Sequence, residues 1–298
     1  MITLVLSSIL AAVVSVFITR PVTAYNNMTR RAELVDSADL ALGRIARDIQ
    51  AAVPNSLRVK TDTSNPNRVA IEFLNVVEGM RYRAAGTNPY LSFTQTNTQF
   101  NTIGLFQFAL SNSTCTANNC RVVVYNTGAN LGGAIPADNP SPGQNVYSLA
   151  TAPTCTNCVP TPGSVTITPV GTTVTLANGS TEGSITLSTG VQFAFPSPRQ
   201  RLQIVDTPVT YICDSSSGVQ QITRYWNYTI SAIQQTNPAS SPLSTASSAT
   251  LVTDISSCSV TYSPGTSEQD GIISMVITLS KGGESITLMR QVEVDNSP

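Results

Sequence analysis

The residues best equipped for chemistry in this 298-residue chain are its six cysteines. Cys115 and Cys120 form a C-x4-C pair, Cys155 and Cys158 form a C-x2-C pair, and Cys213 and Cys258 stand apart toward the C-terminus. An even count fits a disulfide framework of two local loops and one long loop, in which Cys213 and Cys258 are each other's simplest partner. The first four could instead hold a structural zinc ion as a tetrahedron of thiolates, which their spacing permits. An export-competent N-terminal segment and turn-forming Thr, Asn and Pro neighbours favour disulfides. A redox role for the C-x2-C pair requires a thiolate-stabilising helix N-terminus, and the run TCTNCVP shows no such pattern.

The remaining reactive side chains are few. Histidine is absent, which removes the usual general base of Ser and Cys hydrolases and the commonest metal ligand. Lys60 and Lys281 are the only lysines, and no pair of carboxylates stands in a catalytic motif. Charged residues make up 11% of the chain and the net charge is -1, so no basic patch for nucleic acid is expected. The expectation is therefore a non-enzymatic protein that needs no cofactor.

The elements that must carry these residues divide the chain. Met1 to Ile18 is uncharged and mostly apolar, and at about 1.5 Å per residue it reads as a membrane-spanning helix. A signal peptide cleaved after Val22-Thr23-Ala24 is the rival reading. It requires positive charge ahead of the apolar run, whereas Arg20, Arg30 and Arg31 all come after it. Beyond Pro21, a kink position, an apolar stripe continues through Met28, Val35, Ala38, Leu42, Ile45, Ile49 and Val53. Arg30, Glu33, Arg44, Arg47 and Asp48 form an opposite, solvated face, with Arg44 and Asp48 at i,i+4 spacing. Pro54 ends the pattern.

After Pro54 the period changes to that of strands. Residues 68–74, 105–110, 121–125, 164–168, 173–176, 184–187 and 191–195 read as strands. The clearest hairpin alternates through Ile273, Met275, Ile277 and Leu279, turns at Gly282-Gly283, and returns with Ile286, Leu288, Val292 and Val294 on one face. That face suits packing against the lower half of the N-terminal helix. Between Ala84 and Pro198 only Arg121, Asp138 and Glu182 are charged. This stretch reads as a Thr/Ser/Asn-rich insertion, either a surface for a receptor or a plain β addition. The expected divisions are 1–53 helix, 54–83 start of the β domain, 84–198 insertion and 199–298 C-terminal antiparallel region.

Three stretches carry a family resemblance: RPVTAY and RRAELVDSADLALGRIARDIQAAVPNSLRV within Phe17 to Val59; GMRYRA at Gly79 to Ala84; and VDTPVTYICD, TRYWNY and VEVDNSP near the C-terminus. With the apolar helix and the cysteines, they resemble type IV pilins and pseudopilins, and among these the MshO-like minor pilins of mannose-sensitive haemagglutinin (MSHA) pilus systems. The resemblance implies an α+β fold of type IV pilin type, a long N-terminal helix packed on an antiparallel sheet domain with a large β/loop insertion. It also implies a subunit held in the bacterial inner membrane, with its β domain in the periplasm, that passes into an extracellular pilus and helps to initiate or cap the filament. Its partners would be other pilin and minor pilin subunits and the assembly platform.

Leu4, Ser8, Ala11, Ala12, Ser15 and Pro21 are the positions expected to pack in the membrane or filament, with Ser7 also small enough for close approach. A minor pseudopilin of type II secretion, of the large J type, and a membrane-anchored adhesive module using 84–198 are the alternatives. Pilin precursors carry a basic leader and Phe-Thr-Leu-x-Glu ahead of the apolar run, and Met1-Ile2-Thr3 resembles the residues directly after that glutamate. The chain is thus expected to begin a few residues late.

Overall fold

The computed structural model describes residues 2–86, 89–109, 120–127, 147, 163, 165–169, 171–264 and 270–296. One long helix, α1 (Ile2–Gln50), runs through Pro21, and the chain then becomes a series of strands. These are β1 (Arg58–Thr61), β2 (Arg68–Tyr82), β3 (Asn97–Ile103), β4 (Arg121–Val123), β5 (Val174–Asn178) and β6 (Glu182–Val191). Next come β7 (Arg201–Asp214), β8 (Gln221–Trp226), β9 (Ser247–Thr253), β10 (Ile255–Ser263), β11 (Gly271–Lys281) and β12 (Glu284–Val294).

Among the described residues, nine strands form one antiparallel sheet along the path β5-β6-β3-β2-β7-β8-β9, with β1 added on β2 and β4 on β7. A second sheet has the order β10-β11-β12. Among the described residues strands outnumber helix, and α1 is the one helix of seven or more residues. The α+β, pilin-type class is corrected accordingly: this is a mostly antiparallel β protein. Residues 201–263, rich in Ser and Thr and expected only as part of an antiparallel region without placed strands, form four strands.

The helix ends at Gln50, before Pro54, because Ala52 leaves the helical path to form a β-bridge with Asn75. Residues 105–109 are not a strand. Glu78 holds them in a turn, its carboxylate accepting the backbone N–H groups of Gln107, Phe108 and Ala109 at 3.0, 3.1 and 2.9 Å. Val165, Ile167 and Phe193 contribute isolated bridges rather than strands. The C-terminal hairpin does form, with φ of 56° at Gly282 and 87° at Gly283, a left-handed turn open to glycine.

The main core lies between the lower part of α1 and the two sheets. Leu34, Ala38, Leu42, Ile45 and Ile49 pack there against Phe73, Tyr211, Ile273, Ile277 and Ile286. Each fully buried Leu or Ile contributes about 1.5–3 kcal/mol. The Cys213–Cys258 disulfide joins the two sheets directly, from β7 to β10. A second core, built around Phe100, Ile185, Phe193 and Leu202, belongs largely to residues 84–198, whose described strands β3 to β6 are members of the large sheet itself.

Candidate functional site: the two halves of the helix

The lower half of α1 is fixed to the sheets by charge as well as by packing. Asp48 lies at the centre: one oxygen pairs with Arg44 Nε at 3.0 Å, and the other accepts from Arg224 Nε at 3.1 Å and from the Tyr211 hydroxyl at 2.7 Å. Burial, reinforced by the hydrogen bond to Asp48, pushes the Tyr211 phenol well above its ordinary range. Asp48 raises the Arg44 guanidinium against the smaller opposing effect of burial. Farther up, Arg290 meets Asp39 at 3.3 Å, and Arg30 Nη1 donates to the carbonyl of Gly282 at 2.6 Å. The face expected to be merely solvated therefore carries docking contacts.

Above this point the helix has no covering element among the described residues. Among the described side chains Leu34 is the first core residue along the chain. The described large apolar side chains before it, among them Leu6, Leu10, Val14 and Tyr25, are exposed, with Phe17 at 79%. Ser8 and Pro21 are exposed too, and the side chains of Leu4, Ala11, Ala12 and Ser15 lie outside the described residues. The apolar stripe is consequently shorter than its sequence period. Met28 is 74% exposed and Val35 39% exposed, because the hairpin ends beside Arg30 and leaves nothing to cover Met28, while Leu34 rather than Val35 turns inward. Ala38, Leu42, Ile45 and Ile49 are buried as one face, and Val53 is buried in a separate small cluster beyond the helix end.

Among the described residues no helix is long and apolar enough to cross a membrane. That finding overturns the single-pass inner-membrane placement with a periplasmic β domain. The described apolar positions of the opening segment are interrupted by Thr3, Ser7 and Ser8.

The cysteines are placed in part. Cys213 and Cys258 are bonded, as their isolation in the sequence predicts. Cys120 is buried and disulfide-bonded, so it is no thiolate ligand for a zinc ion. Cys115, Cys155 and Cys158 lie outside the described residues. Among the described residues no group of three or more Cys, Asp and Glu is gathered to hold a metal.

Two further clusters were not among the expected site residues, although Arg58, Gly79 and Arg81 lie within the quoted family-like stretches. Arg58 is fully buried beneath the Tyr147 ring, 3.6 Å from its centroid, and donates through Nε to Glu72 at 3.0 Å and to the carbonyls of Ser231 and Ala232 at 2.8 Å. Glu72 also accepts from Thr210, which meets the Tyr228 hydroxyl at 2.6 Å. Burial, then the Glu72 charge, drives both tyrosine hydroxyls far up. The side chains of Arg58, Glu72, Tyr147, Thr210 and Tyr228 are all buried, so the network's role is to hold strands and loops together. An arginine between Leu57 and Val59 at the start of a strand was the one sequence signal for it.

The second is a cleft of about 720 Å³ at the C-terminal end of α1. Its lining includes Gly79, Arg81, Ile103, Leu105, Arg201 and Gln203. Arg81 and Arg201 are direct cross-strand partners on β2 and β7. Like charges so placed repel. No hydrogen bond or ion pair engages the Arg201 side chain among the described residues, and the Arg81 side chain reaches only Gln200, at 3.4 Å.

No family model, curated protein or solved structure matches this chain. The arrangement leaves the described apolar side chains of the upper helix exposed beside two packed sheets.

Proposed function

We propose that the chain is a non-enzymatic assembly subunit, a minor pilin of an MSHA-type pilus that helps to initiate or cap the filament. The observation that carries this reading is the division of α1. Its lower part is bound into its own core, while the described side chains from Ile2 through Tyr25 are exposed and include apolar groups that need a covering partner. Helices of neighbouring subunits are such a partner, because apolar stripes at helical spacing bury one another in bundles. The phrases RRAELVDSADLALGRIARDIQ and VDTPVTYICD support the same reading through their resemblance to minor pilins.

The test uses Leu6→Asp, Leu10→Asp and Phe17→Asp together, with immunogold labelling of sheared filaments. These side chains touch no core, so the variant is expected to unfold thermally like the wild type and to vanish from filaments. Labelling at wild-type density would overturn the proposal.

A further inference from the structure

The outer face of α1 carries a second stripe, opposite the buried one. Val22, Tyr25, Glu33, Asp36 and Leu40 are separated by helical steps or their sums and share one side of the helix, and all are exposed, Leu40 at 72%. Glu33 and Asp36 form no side-chain hydrogen bond or ion pair among the described residues. Their carboxylates are flanked on both sides by apolar groups, so a surface that covers this stripe has to offer both apolar contact and positive charge.

The cleft at the end of α1 has the complementary pattern. Arg81 and Arg201 hold unused guanidinium donors side by side, and Ile103, 50% exposed, and Leu105 form an apolar border. Gly79 lies two residue pairs away opposite Gln203, with open space where a side chain would stand. The other acidic groups of the cleft do not occupy this pair: Glu78 turns to the amides of residues 107–109, and neither arginine forms an ion pair with Asp295 on the lining. A guanidinium fork matches a carboxylate in geometry as well as charge.

We infer that the Glu33/Asp36 stripe of one copy docks in the Arg81/Arg201 cleft of a second copy. Donor patch and acceptor patch are different surfaces of the chain, so the contact is head-to-tail and can propagate. From Asp36 to the end of α1 at Gln50 is about 20 Å of helix, which sets the axial stagger between the copies. This inference rests on the filament reading and specifies the pair of copies that would begin an assembly.

Sedimentation of the full chain in non-ionic detergent, which masks the apolar upper helix, tests it. Arg81→Glu/Arg201→Glu and, separately, Glu33→Arg/Asp36→Arg should each weaken self-association at least tenfold. The chain carrying all four changes should recover it, and the signal should fall with added salt. Circular dichroism checks that each variant is folded. A wild type that remains monomeric, reversals without effect, or a folded quadruple variant that fails to recover overturns the inference. The filament reading fails separately, through the Leu6, Leu10 and Phe17 variant.

Discussion

Tyr211 on β7 donates its hydroxyl hydrogen to Asp48 on α1 at 2.7 Å, and so joins helix to sheet across the main core. The same oxygen accepts from Arg224, 3.1 Å away. Removing the carboxylate with Asp48→Ala strands a phenol and a guanidinium at the junction, whereas Tyr211→Phe leaves Asp48 its two arginines. The first should cost about 1–3 kcal/mol and the second about 0.5–1.5 kcal/mol. Urea unfolding followed by circular dichroism gives both values; equal losses would contradict this division of roles.

The buried Arg58–Glu72 pair makes a sharper case. Glu72→Gln keeps the shape and leaves the Arg58 charge without its counter-ion, at a cost of about 3–5 kcal/mol. The double change Arg58→Met/Glu72→Met removes both charges and should recover a large part of that loss, since apolar replacements of buried pairs are often neutral. Guanidinium unfolding curves of the two variants decide it. The double variant unfolding earlier than Glu72→Gln would mean that the Arg58 bonds to Ser231 and Ala232 dominate.

What could be read from the chain was what repeats locally. Ile273 to Val294 alternates around Gly282-Gly283, and Ala38, Leu42, Ile45 and Ile49 keep a helical step, so hairpin and inner helix face were legible. A period gives a face and says nothing of whether anything covers it, which is why Met28 and Val35 fall outside the core. β7 was hidden for another reason. Its run from Val205 to Cys213 is buried on both sides, and Pro208 argues against a strand, so alternation gives no signal there. The helix Ile2–Gln50 is one continuous local pattern, whereas most of the large sheet depends on pairings between strands far apart in the chain. The Asp48 cluster joins residues separated by 163 and 176 positions, a proximity that only the strand order creates.

The Cys213–Cys258 bond closes a loop with a sequence separation of 45 and ties β7 to β10 across the two sheets. By chain entropy such a link is worth about 4 kcal/mol, and about 2–5 kcal/mol is the usual loss on removal. Cys213→Ala/Cys258→Ala should therefore lower the thermal midpoint by several degrees while leaving the Cys120 disulfide intact. Differential scanning calorimetry of the oxidised double variant isolates this bond from the others, which chemical reduction would not. An unchanged midpoint would show that the shared core alone holds the sheets together.

Acid should loosen one corner of the large sheet first. Arg68 binds Asp214 at 2.7 Å and Asp62 at 3.1 Å at the start of β2. Burial alone would raise both carboxyls, but hydrogen bonds outweigh it: those from Ser64, Thr236, Asn65 and Arg68 lower Asp62, and those from Ser216 and Arg68 lower Asp214. Both therefore titrate below their unfolded values of about 3.9. In the window between the folded and unfolded values the unfolded chain binds more protons, so this stabilisation is complete above pH of about 5 and is lost as pH falls through the folded values. Arg68→Met should leave the protein less stable at neutral pH and flatten its acid dependence, because both aspartates lose a counter-charge and their values rise toward the unfolded ones. Urea midpoints measured from pH 7 down to pH 2 for wild type and variant test the sign: curves that remain parallel would remove Arg68 from the account.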